Sequence, residues 1–147
     1  MKTFILSTSQ SRLPSLWQVA GLRNSNGTAI LEQISEGLDG KVAQVIIDWT
    51  KITQKDFCKM SGISSKALSR GLKTRFSAAQ SERLVRIIRI IDRAVELFEG
   101  DKDGTQKWLR TPNMALDWKE PAELMASETG AYVIIKLITR LENGVYS

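Results

Sequence analysis

Residues 53–75 constrain what this chain can fold into more than any other stretch. Thr53 and Ser64 are typical N-caps, because a hydroxyl can accept hydrogen bonds from the unpaired backbone N–H groups at the start of a helix. Gly62 favours the left-handed conformation that ends a helix. The stretch therefore predicts two short helices joined by a tight turn.

The spacing within this stretch is that of a helix-turn-helix. Four positions of the pattern are met, by Gln54, Cys58, Gly62 and Leu68. The small side chain of Cys58 suits the point where the two helix axes cross, and this predicts a packing role for its thiol. Gly71 stands where an aliphatic residue is usual, which predicts that the second helix ends or distorts early. The alternative is an ordinary helical hairpin within a bundle.

Polar side chains on the outer side of the second helix are candidate DNA contacts, because the second helix of a helix-turn-helix lies in the major groove. Further polar residues stand at helix or loop ends, where contacts with phosphates are common. The candidate DNA-binding residues are Gln54, Ser65, Lys66, Ser69, Arg70, Lys73 and Arg75.

The positive charge of the chain is concentrated around this motif. The net charge is +5, but residues 51–93 carry eleven basic and three acidic side chains. Residues 94–147 carry six basic and nine acidic ones. A basic region supplies sequence-independent attraction to phosphates, and Arg83 and Arg86 are expected to approach them. Arg89 and Arg93 are expected to be solvated or salt-bridged.

The composition argues against an enzyme and against a metal site. The chain has no His and one Cys, which removes the usual zinc ligands and Cys–His or Ser–His catalysis. We therefore expect no catalytic residues, no metal and no cofactor. A single Cys fits a reducing cytoplasm, and neither a signal peptide nor a membrane span is expected.

The rest of the chain predicts further helices and no strand, so the expected fold class is all-α. Helices are expected at 28–36, with Ile30, Leu31 and Ile34 on the apolar side, and at 41–52. A long helix is expected at 77–99, opened by a capping box. Its apolar residues exceed one stripe, and this surplus predicts a homodimer. Residues 1–27 are either an arm packed on the body or on a partner, or a frayed tail.

The C-terminal part predicts shorter helices. Thr105 is expected to cap one of them, Pro121 suits the first turn of the next, and Ser127 is expected to cap the last. Residues 143–144 should end that helix in a left-handed cap. Its expected apolar stripe comprises Val133, Ile134, Leu137, Ile138 and Leu141. We divide the chain into an arm (1–27), a helix-turn-helix domain with its long connecting helix (28–100) and a C-terminal domain (101–147).

Residues 50–147 resemble the Xre/MbcA/ParS antitoxins of RES-type toxin–antitoxin systems. The residues that carry the resemblance include 108–113 (WLRTPN), 121–124 (PAEL) and 144–146 (GVY), together with the helix-turn-helix. Residues 117–119 (DWK) replace a glycine-rich turn that is common in the family, so that loop is expected to differ.

This resemblance implies an Xre-like helix-turn-helix that binds the promoter DNA of its own operon and a small helical domain that binds the toxin. Such toxins degrade NAD⁺, and the antitoxin tail covers the entrance of their active site. The implied partners are a RES-domain toxin and operator DNA, in a higher-order complex. The implied toxin-binding residues are Trp108, Leu124, Arg140, Glu142, Asn143, Gly144, Val145, Tyr146 and Ser147.

A second reading is a stand-alone dimeric regulator whose C-terminal half only dimerises. The ending at 144–147 discriminates between the two, because a plain dimerisation helix has no need of a defined tail.

Overall fold

The computed structural model describes residues 14–24 and 26–144, and every regular element within them is helical. The all-α prediction is confirmed. The helices are α1 (Leu16–Val19), α2 (Ala29–Glu36), α3 (Gly40–Thr50), α4 (Gln54–Ser61), α5 (Ser65–Lys73), α6 (Ala78–Leu97), α7 (Lys102–Leu109), a 3-10 turn (Met114–Leu116), α8 (Pro121–Leu124) and α9 (Glu128–Glu142). Among these residues, no helix is long and apolar enough to cross a membrane.

Helices α4 and α5 form the predicted helix-turn-helix. The hydroxyl of Thr53 accepts from the N–H of Asp56 at 3.1 Å, and the hydroxyl of Ser64 accepts from the N–H of Ala67 at 3.1 Å. Gly62 ends α4 in the left-handed region, with φ 72°. These local signals were therefore read correctly from the sequence.

The predicted early end of α5 at Gly71 is wrong. The helix continues to Lys73, and Gly71 is buried within it. The ring of Phe76 lies against the backbone of Gly71 and occupies the space of a side chain. The missing aliphatic group is thus supplied by Phe76, which is 2% exposed.

Helix α6 runs through the centre of the protein. The hydroxyl of Ser77 and the amide of Gln80 form the predicted capping box at its start. Helices α1, α2, α3, α4, α7 and α9 pack around it. This packing covers even Val85 and Ile90, and α6 leaves no large apolar side chain exposed among the described residues. The surplus apolar surface from which we predicted a homodimer is therefore covered by the chain itself.

The N-terminal arm is packed on the body over residues 14–24. The carboxylate of Asp92 accepts hydrogen bonds from the N–H groups of Leu16 at 2.8 Å and Trp17 at 3.0 Å. Burial raises the pKa of Asp92, and these two backbone donors oppose the rise. The Arg89 guanidinium lies 5.1 Å from the centre of the Trp17 ring, so it is stacked on an aromatic side chain. Residues 1–13 and 25 of the predicted arm lie outside the described residues.

Three local predictions are corrected. Asp101 caps α7, whereas Thr105 is buried inside the helix and donates its hydroxyl to the carbonyl of Asp101. Leu31 and Val133 were predicted on apolar stripes but are exposed. Leu31 follows the buried Ile30 and Val133 precedes the buried Ile134, so each lies about 100° around its helix from the buried side. Pro121 begins α8 and Ser127 caps α9, as predicted.

Candidate functional site

The outer side of α5 forms an open, basic groove. The side chains that line it are Ser65, Lys66, Ser69, Arg70, Lys73 and Thr74. Five of these were predicted from the sequence as DNA contacts, and Thr74 was not. Three cations and three hydroxyls along one groove are suited to phosphate oxygens and to base edges.

The hydrophobic core fixes the position of the helix that carries the groove. Leu68 on the opposite side of α5 is 1% exposed, and Ile63 before the helix is 2% exposed. The basic residues Arg70 and Lys73 lie in the last turn of α5, where positive charge is favourable to the helix dipole. The side chains of the groove are therefore presented on a helix whose position is set by the core.

The two other predicted DNA contacts lie outside this groove. Gln54 is exposed at the first residue of α4. Arg75 donates from Nη1 to the carbonyl of Gly37 at 2.8 Å, a contact that ties the end of α5 to the end of α2. Arg75 therefore has a structural role in addition to its predicted phosphate contact.

Several arginines of the basic region serve the fold. Arg83 donates to the carbonyl of Gly62 at 3.0 Å, in the turn of the helix-turn-helix. Arg86 donates to the carbonyl of Ala126 at 3.1 Å, just before α9. These two contacts join the helix-turn-helix to the C-terminal helices through α6. The predicted approach of Arg83 and Arg86 to phosphates therefore competes with a structural role.

The C-terminal half is also bonded directly to the helix-turn-helix. Arg110 and Asp56 form a salt bridge at 3.0 Å, with both side chains exposed. Gln106 on α7 donates to the carbonyl of Trp49 on α3. An exposed ion pair contributes about 0–1 kcal/mol, so apolar packing between the two halves supplies most of their association.

Two predicted toxin contacts are half-buried. Trp108 packs against Phe98 with ring centres 5.8 Å apart, and both Trp108 and Leu124 lie against the core. Each side chain therefore stabilises this domain and presents only part of its surface.

The other predicted toxin contacts cluster at the end of α9. Arg140 and Asn143 are exposed, and Glu142 accepts from Arg93 at 2.8 Å. Gly144 has φ 72°, which confirms the predicted left-handed cap. The last three predicted residues, Val145, Tyr146 and Ser147, lie outside the described residues.

The loop at 113–119 carries an apolar surface that the sequence reasoning did not assign. Met114 is 73% exposed and Trp118 is 65% exposed, whereas Leu116 between them is buried. Asp117 and Trp118 both have positive φ, at 59° and 65°. A non-glycine residue in this region costs about 1 kcal/mol or more. The only signal in the sequence was the departure from the family pattern at 117–119.

Cys58 is half-buried against the core, and burial raises the pKa of its thiol. Because the thiolate is the reactive form, we expect labelling by a bulky thiol reagent at pH 8 to be at least about tenfold slower than for the same protein in urea. Equal labelling rates in the folded and unfolded protein would contradict the packing role.

Within residues 14–24 and 26–144, no three Cys, Asp or Glu side chains are grouped so that they could hold a metal ion. The candidate functional surfaces are the basic groove on α5, the end of α9 and the exposed loop at 113–119.

Comparisons with known proteins agree with this arrangement. Residues 29–89 match the antitoxin Xre-like helix-turn-helix domain, and residues 93–144 match the antitoxin Xre/MbcA/ParS C-terminal toxin-binding domain. The chain is 37% identical over 142 residues to an antitoxin Xre of Yersinia enterocolitica, covering 95% of this chain and 96% of that protein. It is 33% identical over 134 residues to an antitoxin Xre of Photorhabdus laumondii, covering 90% of each.

A chain of the M. tuberculosis MbcT–MbcA toxin–antitoxin complex has a similar fold, with a TM-score of 0.54 and 19% identity, over 74% of this chain and 96% of that chain. Two matched domains in the same order, and relatives matched along nearly their whole length, lead to one conclusion: the chain belongs to the Xre family of antitoxins.

Proposed function

We propose that this antitoxin neutralises a cognate RES-domain toxin through its C-terminal domain and represses its own operon through the groove on α5. The proposal rests on one observation: the same chain carries a basic groove on the second helix of a helix-turn-helix and a domain that matches the toxin-binding family. The stand-alone regulator whose C-terminal half only dimerises is less well supported, because residues 93–144 match a toxin-binding domain.

The proposed inhibition is steric and needs no catalytic group. Gly144 ends α9 in the left-handed region, with φ 72°. A tyrosine in a pocket buries an aromatic ring and leaves its hydroxyl free to find a partner. We propose that the tail at 145–147, together with Arg140, enters the toxin's NAD⁺ site and excludes the dinucleotide.

The proposed repression rests on α5. One reader helix covers a short half-site, and operators are commonly palindromic because readers act in pairs. Since α6 is covered, we propose that the toxin contributes to the pairing of two antitoxin chains in a higher-order complex. Light scattering of the antitoxin alone and with toxin tests this: a stable antitoxin homodimer without toxin would contradict it.

Deleting residues 145–147 tests the tail. We expect the truncated protein to bind promoter DNA as the full chain does, while cells that express the toxin encoded beside it lose NAD⁺ and stop growing. NAD⁺ content and growth after toxin induction are the measurements. The matched control is Lys66→Ala/Arg70→Ala, which should protect cells but fail to bind the promoter.

Full protection by the truncated protein would show that the tail is only a structural end. Absence of a RES-domain reading frame beside this one, together with no protection by the full chain against RES-domain toxins, would contradict the proposed partner itself.

A further inference from the structure

We infer that Met114 and Trp118, on the loop at 113–119, form an apolar anchor that inserts into the toxin and determines which toxin this antitoxin accepts. This inference rests on the proposed function, because the occupant is the toxin. It concerns a surface that is separate in sequence from the tail at 145–147.

The distribution of exposed apolar side chains supports this location. The large apolar side chains exposed in the described part of the chain are Val19, Leu31, Met114, Trp118, Tyr132 and Val133. The last four lie within residues 93–144, which match the toxin-binding domain, and only Leu31 lies within the helix-turn-helix match. Met114 and Trp118 are the two most exposed of the six. The apolar surface is thus concentrated in the domain that is expected to meet a protein.

The loop is closed by its own backbone hydrogen bonds. The N–H of Asn113 donates to the carbonyl of Lys119 at 3.1 Å, and the N–H of Trp118 donates to the carbonyl of Asn113 at 2.9 Å. The side chain of Asn113 accepts from the N–H of Ala115 at 2.9 Å, and Leu116 is buried beneath the loop. A loop ordered before binding loses little conformational entropy when it binds, so its exposed side chains can contribute more to affinity.

The turn at the loop's tip holds Trp118 outward at a conformational cost. The N–H of Lys119 donates to the carbonyl of Leu116, which places Asp117 and Trp118 at the centre of a tight turn, both with positive φ. Glycine adopts this conformation freely, and a tryptophan does not. A strained residue that stays 65% exposed in the free protein suggests a use in a complex. Tryptophan and methionine are both enriched in the cores of interfaces.

The size of the surface favours an anchor within a larger interface. A buried tryptophan contributes roughly 150–250 Å², whereas a stable protein–protein interface buries about 800 Å² on each partner. Two side chains are therefore too few to hold a second copy of this chain. They are sufficient as an anchor within a larger interface, because a few such residues carry most of the affinity of an interface.

Trp118→Gly is the decisive variant, because it removes the anchor and suits the positive φ of the turn. We expect its Tm to stay within a few degrees of the parent, since relief of the strained backbone offsets the greater entropy of glycine in the unfolded chain. We expect its affinity for the purified RES-domain protein, made inactive by substitution, to fall about tenfold or more, and that of Met114→Ala to fall severalfold. Calorimetric titration with the full-length antitoxin gives these values.

Leu31→Ala is the matched control, because Leu31 is 62% exposed on the helix-turn-helix side and its loss should leave the affinity unchanged. If the parent chain does not bind the toxin, the proposed function fails. If the parent binds and Trp118→Gly binds equally well, the anchor is wrong while the proposed function stands. Light scattering that shows a dimer of the parent and a monomer of Trp118→Gly would also overturn the inference, because a second copy would then cover the loop.

Discussion

Replacing Lys66 and Arg70 together by alanine is expected to reduce affinity for the operator by about 100-fold or more. Both side chains line the groove on α5. We propose that Arg70 donates two hydrogen bonds to a guanine edge, a contact worth about 1–3 kcal/mol. Alanine keeps the helix propensity of α5, so the loss should concern binding alone. Fluorescence anisotropy titrations with operator and scrambled duplexes at one salt concentration measure it.

Lys55→Ala/Lys59→Ala is the control for charge. These lysines are exposed on α4 outside the groove, so their removal lowers the net charge of the same domain by the same amount. We expect a smaller loss that is uniform across DNA sequences, because only the general attraction to phosphates is weakened. Unchanged operator affinity in Lys66→Ala/Arg70→Ala would remove α5 from the role of reader helix.

Restoring the usual helix-turn-helix pattern with Gly71→Leu should destabilise the protein by about 3 kcal/mol or more. A Cβ at this position would lie 2.1–2.6 Å from three atoms of the Phe76 ring, which is 2% exposed. Forcing extra atoms into a packed core typically costs about 1–3 kcal/mol, and this contact is closer than a repacked core allows. For a domain of this size, Tm should fall by roughly 6–12 °C in thermal unfolding followed by circular dichroism.

Two further variants isolate the cause. Gly27→Ala adds a methyl group where no atom lies within 4 Å, so its unfolding free energy should stay within about 0.5 kcal/mol of the parent. Adding Phe76→Ala to Gly71→Leu should make the double variant more stable than the sum of the two single effects predicts. A Gly71→Leu variant as stable as the parent would mean that Phe76 does not fill this space.

The helices and the reader face could be predicted because their signals are local. A cap such as Ser64 acts on a backbone group three residues away, and apolar residues three or four apart define the buried side of a helix. The same rule left the polar residues of α5 on the outside, so most of the groove could be named from the spacing. The toxin-binding role of the C-terminal domain came from resemblance, because no local chemistry distinguishes a protein-binding helix.

The use of each arginine, and the surfaces left exposed, depended on contacts between distant parts of the chain. Arg86 donates to a carbonyl 40 residues away, and Asp92 accepts from two N–H groups of the arm that are 76 and 75 residues away. A periodic pattern shows that α6 is apolar on several sides, but not that the arm and α9 cover them. Likewise, Gly71 looks like a defect until Phe76 is seen against it. Local hydrogen bonds and the spacing of apolar residues determine where the helices of this protein begin and end. Packing between distant parts of the chain determines which faces of those helices remain exposed to partners.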